Sequence, residues 1–258
     1  MKNERILFLD FDGVICDSSR ETARTGWLAG SELWEDWRGV DLPQKHLQKF
    51  IKLRPLLETG YEAIALIKAI DEGYSESFLK NEFNFIKEQI FTSVSMNRNN
   101  LIKLYGKVRA DWARLKPANW LSWHLLYDCA PALVDAGMRN FSSCHIITTK
   151  EKEFVKKLLP FFRISFDPGM IHGLETGKSK KEIILEILEQ DEFLPENTYI
   201  IEDRLRTIYS LQSCGELASA FFYLASWGYV FPEEIEEAGE SEGITVLDPD
   251  EVLDFPEN

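Results

Sequence analysis

The sequence predicts an α/β protein whose core is a doubly wound parallel sheet, with a helical domain inserted after the first strand. Short apolar runs recur along the chain and alternate with amphipathic segments of helical period, which is the pattern of β-α-β units. Between the first and second runs lies a long stretch, residues 18–126, that contains helical patterns but no strand-like run. These two observations together define the fold class.

The first predicted strand is Ile6–Leu9, which is apolar at every position, as expected of a strand buried on both faces of a parallel sheet. The other predicted strands are Cys144–Ile147, Thr198–Ile201, Ala220–Leu224 and Ile244–Leu247. In the same region, isoleucine, leucine and other apolar residues at helical spacing predict helices over Glu151–Leu159 and Lys181–Leu188.

The insertion is predicted to be helical over Leu56–Ile70, Ser77–Phe91 and Leu101–Leu115. It holds six of the seven tryptophans, which we expect in its core, although Trp27, Trp34 and Trp37 could instead line a substrate pocket. It also carries 16 of the 29 basic residues but only 13 of the 43 acidic ones. This excess of basic over acidic residues suits a lid over an anionic ligand. The alternative is that the basic residues lie on ordinary helix faces exposed to solvent. The predicted domains are therefore 1–17 with 127–258, and 18–126.

Composition excludes several functional classes. A net charge of −14 argues against nucleic-acid binding, which requires a cationic surface, but leaves room for a small anionic ligand that responds to the local field. No run reaches the roughly 20 apolar residues of a membrane span. Asp10 and Asp12 interrupt the only early apolar stretch, so no signal peptide is predicted. Four scattered cysteines without CxxC spacing are typical of reduced thiols, and a cytoplasmic location is expected.

Three of the predicted strands run directly into residues suited to phosphoryl transfer. Asp10 and Asp12 come after the first strand, Thr148 after the second, and Glu202 and Asp203 after the third. In an open α/β sheet the carboxyl ends of the strands border the ligand crevice, so these side chains are expected to converge there.

The chemistry of these side chains predicts an aspartyl-phosphate mechanism. Asp10 can attack phosphorus as a carboxylate nucleophile, and Asp12 can protonate the leaving oxygen and later deprotonate the attacking water. Mg²⁺ held by Asp10 and Asp203 would offset the repulsion between carboxylates and phosphate. The Thr148 hydroxyl is expected to bind a phosphate oxygen, and a lysine at the start of the following helix to neutralise further charge.

Four segments, DFDGVICDS, IITTK, GKSKKEIILEIL and YIIEDRLRTI, resemble in that order the four motifs of the haloacid dehalogenase superfamily. The resemblance implies a Rossmann-like core with a mobile helical cap between the first and second motifs. It also implies that Asp10 is the nucleophile, Asp12 the general acid-base and a metal ligand through its carbonyl oxygen, Thr148 the phosphate-binding residue and Asp203 a magnesium ligand. The second aspartate of the first motif is typical of the family's phosphatases and phosphomutases rather than its dehalogenases.

Two positions depart from the common family pattern. The fourth motif has Glu202-Asp203, with Thr207 where a second aspartate is often found, so Glu202 could bind the metal directly or through water. The third-motif lysine is Lys178 if the segment is aligned to a Lys-Pro-x-Pro form, the alignment we prefer, and Lys180 if the lysine opens the helix directly.

The sequence thus predicts a Mg²⁺-dependent phosphatase that acts on a small phosphorylated metabolite through an aspartyl-phosphate. A phosphomutase of the sugar-phosphate type and a catalytically idle binding protein on the same scaffold are the alternatives. The sequence identifies neither the substrate nor the oligomeric state.

Overall fold

A computed structural model describes residues 4–256, and the chain forms two compact units. The core unit consists of the described residues up to Asp17 and those from Leu125 onward, and the helical unit is Ser18–His124. The chain re-enters the core unit two residues earlier than the sequence predicts. This is because Leu125–Leu126 pairs in antiparallel fashion with Cys16–Asp17, at the point where the chain leaves that unit.

The strands are β1 (Ile6–Leu9), β2 (Cys16–Asp17), β3 (Leu125–Leu126), β4 (Ser143–Ile147), β5 (Ile171–His172), β6 (Thr198–Glu202), β7 (Phe221–Ala225) and β8 (Ile244–Leu247). The α-helices are α1 (Ser19–Gly30), α2 (Gln44–Leu53), α3 (Ala63–Asp71), α4 (Glu76–Ser93), α5 (Arg98–Leu115), α6 (Pro117–Leu121), α7 (Ala130–Asn140), α8 (Lys152–Phe161), α9 (Lys180–Gln190), α10 (Leu205–Gln212) and α11 (Pro232–Glu240). Within residues 4–256, no helix is both long enough and apolar enough to cross a membrane.

Six strands form one parallel sheet in the order β5-β4-β1-β6-β7-β8, which confirms the predicted fold class. β1 lies between β4 and β6, and Leu9 at its end is paired with Ile146 on one side and with Ile201 on the other. The carboxyl ends of these three strands therefore meet at one edge of the sheet. Strands β1 and β8 match their predicted bounds, whereas β5, with only two residues, has no counterpart in the sequence prediction.

The central strand is buried on both faces, which explains its lack of polar alternation. Ile6 and Phe8 pack in a cluster that includes Ile184 of α9, while Leu7 lies close to Gly137 of α7 on the other face. Burial of each such apolar side chain contributes about 1.5–3 kcal/mol to folding. Helices on both faces thus fix the position of β1 and of the residues that follow it.

The helical unit differs from the prediction between residues 56 and 62. Glu62 Oε2 accepts hydrogen bonds from the main-chain N–H groups of Glu58 (2.7 Å) and Thr59 (2.9 Å). Because these bonds hold the chain in a turn, α3 begins at Ala63 rather than at Leu56, and the predicted helix over Leu56–Ile70 is wrong in its first half.

The tryptophans at the start of the helical unit belong to its core. Trp27 and Trp37 are buried and stack with ring centroids 4.0 Å apart, and the partly buried Trp34 packs against the same cluster. The expectation of a helix-helix core is confirmed for these residues.

Candidate active site

Asp10 and Asp12 leave the sheet in a tight turn after β1. The main-chain N–H of Asp10 still donates to the carbonyl oxygen of Ile201 (3.0 Å), so Asp10 remains in register with the sheet. Gly13 then adopts φ +97°, a conformation that side chains disfavour, and its N–H donates to the carbonyl of Cys16 (2.9 Å). The turn brings both carboxylates to the carboxyl end of the central strand.

Asp203 lies fully buried against this turn. Its Oδ2 accepts a hydrogen bond from the main-chain N–H of Tyr229 (2.7 Å), while its Oδ1 has no hydrogen-bond partner among the described residues. A Cβ atom on Gly13 or on Gly228 would overlap Asp203, so both positions need glycine to let the carboxylate approach the turn. An unpartnered buried carboxylate oxygen is costly, and a bound cation would offset that cost.

Three carboxylates form a buried cluster around one lysine. One oxygen from each of Asp10, Glu202 and Asp203 lies within 4.8 Å of the others. Lys180 Nζ donates to Glu202 Oε2 (2.8 Å) and forms an ion pair with Asp10 Oδ1 (2.9 Å). Lys180 is in the first turn of α9, which begins after Ser179, whose side chain accepts from the N–H of Glu182.

Burial dominates the electrostatics of this cluster. It raises the pKa of Asp10 to about 7, and the neighbouring charge of Glu202 adds to the shift. Burial likewise raises the pKa of Asp203 to about 7, and the negative charge of Asp10 raises it further. The pKa of Glu202 is also raised, again mainly by burial. Burial alone would lower the pKa of Lys180, but the carboxylates of Asp10 and Glu202 outweigh it and raise the pKa. The ammonium group is therefore charged, whereas the carboxylates are short of compensating positive charge.

The Asp12 carboxylate is bound by a second lysine that the sequence prediction missed. Lys150 is buried, and its Nζ donates to both Oδ1 and Oδ2 of Asp12 at 3.1 Å. Thr148, buried at the end of β4, accepts a hydrogen bond on Oγ1 from the N–H of Lys150 (3.1 Å). The only signal in the sequence is that Lys150 closes the segment IITTK, two residues after Thr148.

Lys178, the preferred third-motif lysine, lies outside this group. Its Nζ donates to both carboxylate oxygens of Glu186 at 2.7 and 2.6 Å, and both side chains are about half exposed. Lys178 precedes the helix, whereas Lys180 is inside its first turn and contacts Asp10. Of the two candidate lysines, the structure therefore places Lys180 beside Asp10 and Lys178, the one preferred from the sequence, outside the group.

The donor set fits a divalent metal ion. Carboxylate oxygens are the ligands that Mg²⁺ prefers, and Asp203 Oδ1 is a buried oxygen without another partner. The gathered side chains are four carboxylates and two ammonium groups: Asp10, Asp12, Glu202 and Asp203 with Lys150 and Lys180. With all of them ionised, two negative charges remain, which one divalent cation would balance.

Comparison with known proteins identifies the fold. No protein-family model and no curated protein sequence matches the chain. A haloacid dehalogenase-like hydrolase from Streptococcus pneumoniae has 17% identity and a TM-score of 0.59, with 99% of each chain covered. A predicted phosphatase from Clostridium acetobutylicum has 18% identity and a TM-score of 0.58, with 97% of each chain covered. A predicted phosphoglycolate phosphatase from Haemophilus somnus has 14% identity and a TM-score of 0.55, with 98% of each chain covered. The chain thus has a haloacid dehalogenase-like α/β fold over nearly its whole length.

Proposed function

We propose that this protein is a Mg²⁺-dependent phosphatase that hydrolyses a small phosphorylated metabolite through an aspartyl-phosphate on Asp10. The observation that carries the proposal is the Asp10 carboxylate at the end of the central strand, 2.9 Å from the Lys180 ammonium and clustered with Glu202 and Asp203. Its surroundings resemble those of a nucleophile rather than of a structural acid, because a structural role would not require three buried carboxylates around one lysine.

In the first step an oxygen of Asp10 forms a bond to phosphorus as the bond from phosphorus to the substrate oxygen breaks. Asp12, protonated at this stage, gives its proton to the leaving oxygen, so that an alcohol departs. The Lys180 ammonium and the Thr148 hydroxyl are the groups available to bind phosphoryl oxygens, on which negative charge accumulates. When bound at Asp10 and Asp203, with Glu202 beside them, Mg²⁺ would supply further charge neutralisation.

In the second step water attacks phosphorus and the aspartyl-phosphate bond breaks. Asp12, now ionised, takes a proton from the water, and inorganic phosphate leaves with Asp10 restored as a carboxylate. One residue can serve in both steps because the proton that it gives in the first is regained in the second.

The experiment is hydrolysis of 4-nitrophenyl phosphate with saturating Mg²⁺. Asp10→Asn should lower kcat by at least about a thousandfold, because the amide is not a nucleophile. Lys180→Met should also lose most activity, while Lys178→Met, in the exposed pair with Glu186, should stay within about twofold of wild type. A wild-type rate for Asp10→Asn would refute the mechanism.

Product analysis on a panel of phosphorylated metabolites separates the phosphatase from the two alternatives. Free phosphate is the phosphatase product, whereas an isomeric hexose phosphate would indicate a phosphomutase. Absence of both turnover and Mg²⁺ binding in a titration would indicate an idle binding protein. The panel should include small phosphorylated carboxylic acids, since one structural neighbour is described as a predicted phosphoglycolate phosphatase.

A further inference from the structure

Lys150 is a buried cation in contact with the Asp12 carboxylate, and the proposed mechanism leaves it unused. Its side chain is 1% exposed, and its Nζ is 3.1 Å from each oxygen of the Asp12 carboxylate, which is itself 18% exposed. Burial of an ammonium group is costly unless the group is paired, so the ion pair with Asp12 is needed to offset the cost of burying Lys150. The equal distances to the two oxygens also restrict rotation of the carboxylate.

The main chain around Lys150 holds the ammonium group in place. The N–H of Lys150 donates to Thr148 Oγ1 (3.1 Å), and its carbonyl accepts from the N–H of Leu174 (3.0 Å). Gly173 packs so closely that a Cβ there would lie 2.7 Å from the Lys150 carbonyl oxygen. The residue is thus fixed at both main-chain groups between the segments that follow β4 and β5.

The two lysines of the site divide its carboxylates between them. Lys180 contacts Asp10 and Glu202, whereas Lys150 contacts Asp12, which belongs to the more exposed side of the group. A lysine needed only to offset the charge of the buried cluster would be expected among the cluster's own carboxylates. Lys150 instead contacts Asp12, the residue to which the proposed mechanism assigns proton transfer.

We propose that Lys150 is a positioning residue for Asp12, and that its ammonium group fixes the Asp12 carboxyl group where it can donate a proton to the leaving oxygen and later accept one from water. This role rests on the proposed phosphatase function. Lys150 itself transfers no proton and forms no bond to phosphorus. Its effect on the rate is exerted through Asp12 alone.

The role has a consequence that a purely structural lysine would not produce. Protonation by a general acid matters in proportion to the basicity of the leaving oxygen, because a stable anion can depart without a proton. Phenyl, 4-nitrophenyl and 2,4-dinitrophenyl phosphate offer similar shapes with leaving groups of decreasing basicity. If Lys150 positions Asp12, its removal should harm phenyl phosphate most and dinitrophenyl phosphate least.

The test is kcat/KM for these three substrates in saturating Mg²⁺ for wild type, Lys150→Met and Lys150→Arg. We expect Lys150→Met to lose about a hundredfold on phenyl phosphate and less than about tenfold on dinitrophenyl phosphate, and Lys150→Arg to recover part of the difference. Lys156→Met is the matched control, since that lysine lies in an exposed pair with Glu153 and should leave all three values unchanged. An equal loss for Lys150→Met on all three substrates would overturn the proposal.

A double variant keeps the proposal testable if Lys150→Met does not fold. Asp12→Asn with Lys150→Met removes both charges and leaves neither buried alone. If Lys150 acts through Asp12, the double variant should have the kcat/KM of Asp12→Asn alone; a further large loss would show an independent role. Activity of Asp10→Asn would contradict the phosphatase mechanism itself, whereas an Asp10-dependent enzyme with uniform losses at Lys150 contradicts only the positioning role.

Discussion

Replacing Asp10 by asparagine should stabilise the metal-free protein while abolishing its activity. Burial and the neighbouring Glu202 raise the pKa of Asp10 to about 7, from the 3.8 expected in the unfolded chain. Between these two values the native state binds a proton that the unfolded state lacks, so the free energy of unfolding falls as pH rises. Above pH 7 the native protein bears the whole cost of the ionised carboxylate, and asparagine removes that cost.

The size of the effect follows from the shift in pKa. A difference of about three units at about 1.4 kcal/mol per unit sets an upper limit of about 4 kcal/mol. This limit already includes the favourable contact with Lys180, since that ammonium group lowers the pKa of Asp10. We therefore expect a gain in stability that approaches this limit at pH 8 and is smaller at pH 5, where it is at most about 1.7 kcal/mol, because the unfolded chain is still ionised at pH 5 while native Asp10 is neutral.

The assay is urea unfolding in EDTA at pH 8 and pH 5, with Asp36→Asn as a control at an exposed carboxylate. In the proposed function Mg²⁺ binds the native wild type through Asp10, so its addition should stabilise the wild type and reverse the order of stability at pH 8. A loss of stability in Asp10→Asn at pH 8, or the same gain at both pH values, would refute the reasoning.

Three further predictions concern a glycine beside Asp203, a buried histidine of the core unit and a helix cap in the helical unit. Gly228→Ala would overlap Asp203 and should lower both activity and Tm, whereas Gly239→Ala, with no atom within 4 Å of the added Cβ, should leave both near wild type. Burial lowers the pKa of His145 to about 4, so the unfolded state binds an extra proton between about pH 4 and 6.5. The contribution of His145 should therefore fall by about 2 kcal/mol from pH 7 to pH 5, so that the change in stability between these pH values should differ by about that amount between wild type and His145→Gln in urea titrations. Ser75→Ala removes the side chain that caps α4 and should cost about 1 kcal/mol in the same assay, and an unchanged midpoint would contradict this assignment.

The sheet was largely predictable because a strand buried on both faces has a distinctive sequence. Ile6–Leu9 could be recognised from four apolar residues alone, since helices cover both of its faces. The two-residue strand Ile171–His172 could not be recognised, because it is defined by pairing with β4 and not by any local pattern. The helix Ser19–Gly30 is buried but was missed for a different reason. It packs through small residues such as Gly26, close to the main chain of Ala63, and small residues give a weak amphipathic signal.

At the candidate site, residues that directly follow a strand could be predicted, whereas those brought in by loops could not. The position of Asp10 follows from the strand before it, and that of Asp203 from the end of β6. The choice between Lys178 and Lys180 depends on where α9 begins, which is set by the side chain of Ser179. The contact of Lys150 with Asp12 joins residues far apart in the chain, so no pattern in the sequence reveals it.

The short antiparallel ribbon of β2 and β3 has a consequence for the order of folding. β1 must pair with β4, although the whole helical unit separates them in the chain. The entropic cost of closing a flexible loop grows with its length, and contacts between distant segments slow folding. If the helical unit folds first and the ribbon joins Cys16–Asp17 to Leu125–Leu126, the effective separation between β1 and β4 becomes short. β1 can then pair with β4 almost as though a short turn between β2 and β3 replaced the helical unit.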